Sequence, residues 1–267
     1  MTVSGCVPTF NNEATLNAAL ESLKCQTTPL DSIFVIDDGS TDGSATVAHR
    51  AGVEVVSLGQ NQGRGAARAT AIDHCHSELL LSVDGTAALA SDFLQIALPH
   101  MQDPKVAAVY GSIHGSPAKS VADRWRERHL YSTSAESATE TDALITWGCL
   151  LRLEAVHGVG NFDRTCRHSE DAELGVRLRQ ADWKLIYEPT AKVTTLVSNP
   201  LPQVLERYWR WNAGVQPSFG FRGYLKMIGY SLKVLARRDW QAHDFPASLV
   251  SLWLPHYCAL QSLRRSR

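Results

Sequence analysis

The first third of the chain switches repeatedly between short apolar runs and stretches with helical spacing, and this alternation constrains the fold more than any other feature. Val3 to Val7, Ser32 to Ile36, Val53 to Ser57 and Leu79 to Val83 read as strands. Between them, Asn12 is expected to cap a helix whose apolar face is Leu16, Leu20 and Leu23. Ser44 to Ala51 forms a second helix, and the turn Gly59 to Gly65 opens a third that reaches about His76. Strand, helix and parallel strand in succession predict an α/β fold with a mainly parallel central sheet flanked by helices. Ligands in such open sheets bind beyond the carboxyl ends of the strands. Thr9, Asp37, Asp38 and Asp84 each follow a predicted strand closely, so they are expected on one rim.

Beyond Tyr110 the pattern loosens. Val121 to Tyr131 reads as a helix within a polar stretch from Ser112 to Asp142. Ile145 to Leu151 reads as a strand, and Glu170 to Ala181 as a helix with Leu174 and Leu178 inward. Lys184 to Tyr187 and Val193 to Val197 read as two further strands, with helices from Leu201 on. The 267 residues are therefore divided into one domain, 1–215, with a regular half (1–110) and a looser half (111–215), and a helical C-terminal extension, 216–267.

A net charge of −1 provides no overall attraction to nucleic acid, so none is expected as a partner and any anion must meet a local basic patch. The six cysteines have irregular spacing without a C-x-x-C pair, which suggests neither a zinc site nor a dithiol motif and fits a reduced, cytoplasmic setting. Met1 to Phe10 lacks the basic and apolar segments of a secretory signal. Phe245 to Leu260 is interrupted by Pro246, Pro255 and His256 and is short for a membrane span, so no transmembrane helix is expected. The tail sets Leu225, Ile228, Leu232 and Leu235 against Lys226, Lys233, Arg237 and Arg238 and closes on Arg264-Arg265-Ser266-Arg267, a pattern compatible with peripheral contact at the inner membrane face.

Val7-Pro8-Thr9-Phe10-Asn11-Asn12-Glu13, followed by Phe34-Val35-Ile36-Asp37-Asp38-Gly39-Ser40-Thr41-Asp42, resembles the opening of family 2 glycosyltransferases of the GT-A fold. The resemblance implies an inverting enzyme that moves a monosaccharide from a nucleotide-diphospho-sugar, UDP-linked, to a saccharide or lipid-linked acceptor. It assigns Thr9, Glu13, Asp37 and Asp38 to the base and ribose. An aspartate there accepts the base N–H as a charge-assisted hydrogen bond; the alternative is that these acids shape a turn and cap a helix. Asn61-Gln62-Gly63-Arg64-Gly65-Ala66-Ala67-Arg68 resembles the family's arginine segment. Arg64 and Arg68, four apart at a glycine-rich helix start, would face the diphosphate. In Gly160-Asn161-Phe162-Asp163 and Ser169-Glu170-Asp171 the resemblance makes Asp171 the catalytic base, with Glu170 beside it and Asp163 and Trp147 in the acceptor region. Read without the resemblance, Ser169 is an N-cap with two acids in the first helical turn. Arg207-Tyr208-Trp209-Arg210-Trp211 resembles a motif of processive members, in which arginine faces diphosphate and tryptophan stacks on the acceptor; the plainer reading is an amphipathic helix with core aromatics.

The chain departs from the family twice. Asp84-Gly85-Thr86 stands where an Asp-x-Asp pair binds Mg²⁺ or Mn²⁺, and Thr195 stands where a histidine near the metal is usual. A threonine hydroxyl is a weaker ligand than a carboxylate for a hard cation. Three alternatives follow: Asp84 and phosphate oxygens hold a metal loosely, arginines carry the leaving-group charge, or the protein binds nucleotide sugar without turning it over.

Overall fold

The computed structural model describes residues 1–115, 120–131, 135–213 and 220–265. The chain forms two compact units: Met1–His114 with Thr133–Val197, and Gly115–Ser132 with Ser198–Arg267. The second unit thus starts before the expected boundary at 215 and recruits a segment from mid-chain.

In the first unit, β1 (Val3–Thr9), α1 (Glu13–Lys24), β2 (Ser32–Asp37), α2 (Ser44–Arg50), β3 (Glu54–Ser57), α3 (Arg64–His74) and β4 (Leu79–Val83) follow one another as the alternation requires. They are followed by β5 (Ala87–Leu89), α4 (Phe93–Ala97), β6 (Val106–His114), β7 (Thr139–Glu140), β8 (Gly148–Arg152), α6 (Leu153–Gly158), α7 (Glu170–Gln180) and β9 (Lys184–Thr195); α5 (Val121–Arg126) belongs to the second unit. The sheet order is β3-β2-β1-β4-β8-β6-β9-β5, with β7 on β9. The strands β3, β2, β1 and β4 are parallel, as the alternation predicts. From β8 onward the sheet is mixed, since β8 runs antiparallel to both β4 and β6.

Strand order reverses at β1, which lies between β2 and β4, so a crevice opens beyond the tips of β1 and β4. All five residues of β4 are buried, as a central strand covered on both faces must be. Leu16, Leu20 and Leu23 of α1 are buried, and Ile36, Ile72, Leu80, Leu151, Leu174 and Leu178 belong to one core cluster.

Three local expectations are corrected. Lys184–Thr195 forms one strand where two, Lys184 to Tyr187 and Val193 to Val197, were expected, because a register break between Gly111 and Ser112 of β6 accommodates Pro189–Ala191 as a bulge. There the Pro189 carbonyl accepts from Ser112 Oγ and the Glu188 carboxylate accepts from Thr190. The Asn12 side chain does not cap α1; its Nδ2 donates to Thr9 Oγ1 at 3.0 Å, and Asp42 Oδ2 takes the Glu13 N–H instead. Ser169 adopts φ 61° in the left-handed region and makes no capping hydrogen bond to α7.

In the second unit, α5 continues as a π-helical turn through Tyr131. It packs with α8 (Leu201–Tyr208), α9 (Phe221–Tyr230), α10 (Ala236–Gln241) and α11 (Phe245–Arg265), around Trp125, Val204, Leu205, Tyr208, Leu235 and Leu254. Arg124 grips Asp244 with Nε at 2.7 Å and Nη2 at 2.9 Å, a bidentate pair that ties α5 to the start of α11. No described helix is long and apolar enough to cross a membrane.

Candidate active site

The rim of β1, β2 and β4 carries the residues expected there. Thr9 pairs with Asp37 in the ladder, and the Asp38 N–H donates to the Thr9 carbonyl at 2.9 Å, so the tips of β1 and β2 are joined. The adjacent aspartates do different things. Asp37 accepts through Oδ1 from the Ser40 N–H at 3.0 Å and has no other protein partner among the described residues. Asp38 uses both oxygens on the following loop: Oδ1 accepts from Gln62 N at 2.7 Å, and Oδ2 from Gly63 N at 2.9 Å and Asn61 Nδ2 at 3.0 Å. Glu13, expected at the nucleotide, accepts from the Gly43 N–H at 3.0 Å and so fixes the start of α2. Gly85 packs where a Cβ would come within 2.8 Å of Asn12 and 3.1 Å of Thr9, which keeps the tips of β1 and β4 close.

The loop held by Asp38 delivers α3. Gly63 has φ 101°, a conformation that glycine adopts without strain. Gly65 lies against the 163–166 loop so tightly that a Cβ would sit 2.1 Å from the Asp163 carbonyl oxygen. From this start Arg64 and Arg68 project toward β4 and α7. Arg64 Nη2 donates to Asp84 Oδ2 at 3.0 Å and its Nε lies 3.3 Å from Glu170 Oε1; Arg68 Nη2 donates to Asp84 Oδ1 at 2.5 Å and its Nη1 to Glu170 Oε1. Arg68 and Glu170 are both buried, whereas Arg64 is half exposed. Arg68 Nε and Glu170 Oε2 are buried without any hydrogen-bond partner. Glu170 therefore anchors two guanidinium groups.

Asp171, next in sequence, is placed differently. Its Oδ1 accepts from the Ala172 N–H at 2.9 Å and its Oδ2 from Thr146 Oγ1 at 3.4 Å. Burial, and next the negative charge of Glu170, push its carboxyl above the ordinary range, while Arg68 and Arg64 oppose the shift. Thr146 escaped the sequence reading because nothing in its neighbourhood marks it; only the fold brings the approach to β8 against the first turn of α7. Trp147 lies beside Asp84: its carbonyl accepts the Asp84 N–H at 3.2 Å, and its indole N–H donates to the Gly111 carbonyl at 2.9 Å. Asp163 is exposed and folds its own turn, accepting from the Thr165 N–H and hydroxyl, which lower its carboxyl below the ordinary value.

The remaining sequence candidates belong to the second unit. Arg207 donates to the Tyr131 hydroxyl at 3.0 Å, and its guanidinium lies 5.8 Å from the centroid of the exposed Trp211 ring. Arg210 lies 3.8 Å from Glu206, where α8 has given way to a π-helical turn.

The donor set at Asp84 does not fit a divalent cation. Both carboxylate oxygens already accept from guanidinium groups. Ala87 pairs with Thr195 between β5 and β9, so the two threonines that replace expected ligands lie within one residue of each other across the ladder. Thr195 Oγ1 turns to the Val197 carbonyl. Among the described residues no three His, Cys, Asp or Glu side chains form a group that could hold a metal.

An N-acetylglucosaminyltransferase of Rhizobium meliloti is 26% identical to this chain, covering 92% of it, and the chain spans 66% of that relative's length. Among solved structures, S. aureus TarS 1-349 in complex with UDP-GlcNAc matches with a TM-score of 0.62 at 16% identity, covering 100% of this chain and 93% of that one. The mannosyltransferase PcManGT from Pyrobaculum calidifontis, in complex with GDP-Man and Mn²⁺, matches with a TM-score of 0.59 at 19% identity over 99% and 74%. These likenesses establish the GT-A fold. The model of Glycosyl transferase family 2 matches residues 4–155 and that of Glycosyl transferase family group 2 matches residues 80–266, and the chain belongs to family 2 of the glycosyltransferases.

Proposed function

We propose that this protein transfers a monosaccharide from a UDP-sugar to a hydroxyl of a saccharide or lipid-linked acceptor, with inversion at the anomeric carbon. The observation that carries the reading is the pairing of an arginine clamp, half-exposed Arg64 and buried Arg68 on Asp84 and Glu170, with a neighbouring carboxylate, Asp171, whose pKa is raised. In the proposed reaction the free oxygen of Asp37 accepts the uracil N–H, and Thr9 lies beside the ribose. Arg64, half exposed on its flexible stem, turns from Asp84 to the diphosphate, and Arg68 stays fixed behind it. A sugar hydroxyl is too weak an acid to ionise first, so Asp171 takes its proton as the new bond to the anomeric carbon forms. The bond from that carbon to the diphosphate breaks with its electron pair leaving on the diphosphate oxygen, whose charge the arginines meet. Attack from the side opposite the leaving group inverts the centre.

The name of the Rhizobium relative and the ligand of the TarS fragment support UDP-N-acetylglucosamine as the first donor to try, while GDP-mannose in the third protein makes the base part of the test. Calorimetric titration with UDP and GDP, each with and without Mn²⁺, should show UDP binding that Mn²⁺ does not strengthen. Indifference to every nucleotide would refute the donor site. Asp171→Asn should keep UDP binding and lower transfer by roughly 10²–10⁴-fold, the usual contribution of a positioned base. The alternative, a protein that binds nucleotide sugar without turning it over, is favoured by the occupation of both Asp84 oxygens; wild-type protein that binds donor yet neither transfers nor hydrolyses it would decide for it.

A further inference from the structure

The second unit carries a surface that the transfer reaction leaves unexplained. Helix α11 is apolar on two opposite sides. Val250, Leu254 and Cys258 are buried in the unit's core, while Phe245, Leu249, Leu252, Trp253, Leu260 and Leu263 are exposed along the other side. Leu249 is 69% exposed and Leu263 66%. An apolar helix face left in water is stabilised when another surface covers it. Beside it, α10 presents Trp240, 65% exposed, with its ring edge-on to that of Phe245 at 4.9 Å. Leu232, Trp240, Phe245, Leu249 and Leu252 line a groove of about 760 Å³, with Arg237 among its walls. Isolated exposed leucines need no explanation, but a continuous face of this extent marks an interaction site.

Charge identifies the partner. Between residues 221 and 264 the only acids are Asp239 and Asp244, both buried; Asp239 is paired with Arg128 and His129, and Asp244 with Arg124 and Arg128. Arg222, Lys226, Lys233, Arg237, Arg238 and Arg264 are all exposed. Every described charge at the surface of this segment is therefore positive. Apolar side chains with aromatic residues among them, surrounded by cations whose stems reach outward, suit the headgroup region of an anionic bilayer. A second copy of the chain fits poorly, because a symmetric contact would bring like-charged faces together.

We propose that the outer face of α11, with Trp240 and the basic residues around it, seats the protein on an anionic lipid surface, with α11 lying in the plane of the interface. The test is co-sedimentation of the full chain with phosphatidylcholine vesicles and with vesicles containing 30 mol% phosphatidylglycerol, at low and high salt, alongside tryptophan emission. Binding to the anionic vesicles, weakened by salt and accompanied by a blue shift, is expected. Arg237→Ala with Arg238→Ala should reduce partitioning by roughly fivefold per residue removed, and Leu249→Asp should abolish the blue shift. Both sites are exposed, so unchanged circular dichroism will verify that the variants fold. Equal binding to neutral vesicles, or no vesicle binding together with a dimer that Leu249→Asp dissociates, would overturn the proposal.

Discussion

Asp38 offers the sharpest separation between a residue that binds a nucleotide and one that builds the loop beside it. Replacing it by Ala removes the acceptor for three donors: Gly63 N–H, which is buried, and Gln62 N–H and Asn61 Nδ2, which are partly buried. A stranded buried donor costs about 1–3 kcal/mol, so the two backbone groups together predict a loss of about 3 kcal/mol. At roughly 2–4 °C per kcal/mol for a protein of this size, the melting temperature should fall by about 10 °C. Asp37→Ala removes one backbone hydrogen bond, from Ser40, and should cost only about 1 kcal/mol. Its effect on UDP should be the larger of the two, about 10–100-fold in affinity if its carboxylate accepts the base N–H. Thermal melts and calorimetric titration of the two variants side by side give both quantities. The reasoning fails if Asp38→Ala melts with the wild type and loses UDP, since the carboxylate would then be a ligand and the loop would stand without it.

Further outcomes follow from the same geometry. The Arg64 charge lowers the pKa of Asp171, so Arg64→Ala should move the acidic limb of the kcat/KM profile to higher pH as well as lowering its maximum; a limb that stays in place would detach Arg64 from the base. Hydrogen bonds from Arg124, joined by Arg128 against the effect of burial, hold the Asp244 carboxyl down to about 2. That stabilisation, about 2 kcal/mol, is complete above the ordinary aspartate range and is lost as pH falls from about 5 toward 2. Arg124→Ala should flatten this part of an acid unfolding curve followed by circular dichroism. Gly65→Ala places a methyl 2.1 Å from the Asp163 carbonyl, so the 163–166 loop must shift, and a loss of about 2–3 kcal/mol is expected in urea unfolding.

The first four strands were legible in the sequence because each is a local event: an apolar run, a turn rich in glycine and aspartate, then a helical stripe. The strand ends fixed the rim without further information. What sequence could not supply was competition from distant groups. Asn12 and Ser169 have the residue types of helix caps, yet Asn12 is taken by Thr9 and Ser169 turns left-handed at the end of the loop that packs on Gly65. The acids Glu170 and Asp171 look equivalent side by side, and only the fold assigns one to two arginines and leaves the other to Thr146. Pro189 divides an apolar pattern that backbone pairing joins, because a bulge needs no N–H from it. The apolar and basic positions between Leu225 and Arg238 are visible in the sequence, whereas the burial of the acids Asp239 and Asp244, which leaves the described surface charges of that segment positive, is apparent only once their arginine partners are seen. Ser266 and Arg267 of the basic terminus lie outside the described residues.

The two departures from the family at Thr86 and Thr195 are best understood as one change, because the pairing of Ala87 with Thr195 brings them within one residue of each other across the ladder. A divalent cation coordinated by Asp84 would lie within about 4 Å of guanidinium nitrogens that are 3.0 and 2.5 Å from its oxygens. At an effective dielectric of 20, a double and a single positive charge at that distance repel by about 8 kcal/mol. A second carboxylate at position 86 and an imidazole at 195 would offset part of that repulsion, and this chain has neither. The same arginines cost nothing of the kind toward a diphosphate, to which they are attracted and whose oxygens a guanidinium can grip in pairs. The arginine clamp and the threonine replacements therefore make each other tolerable: without the clamp Asp84 would be an unpaired carboxylate at the mouth of a buried site, and with it a metal has little left to bind.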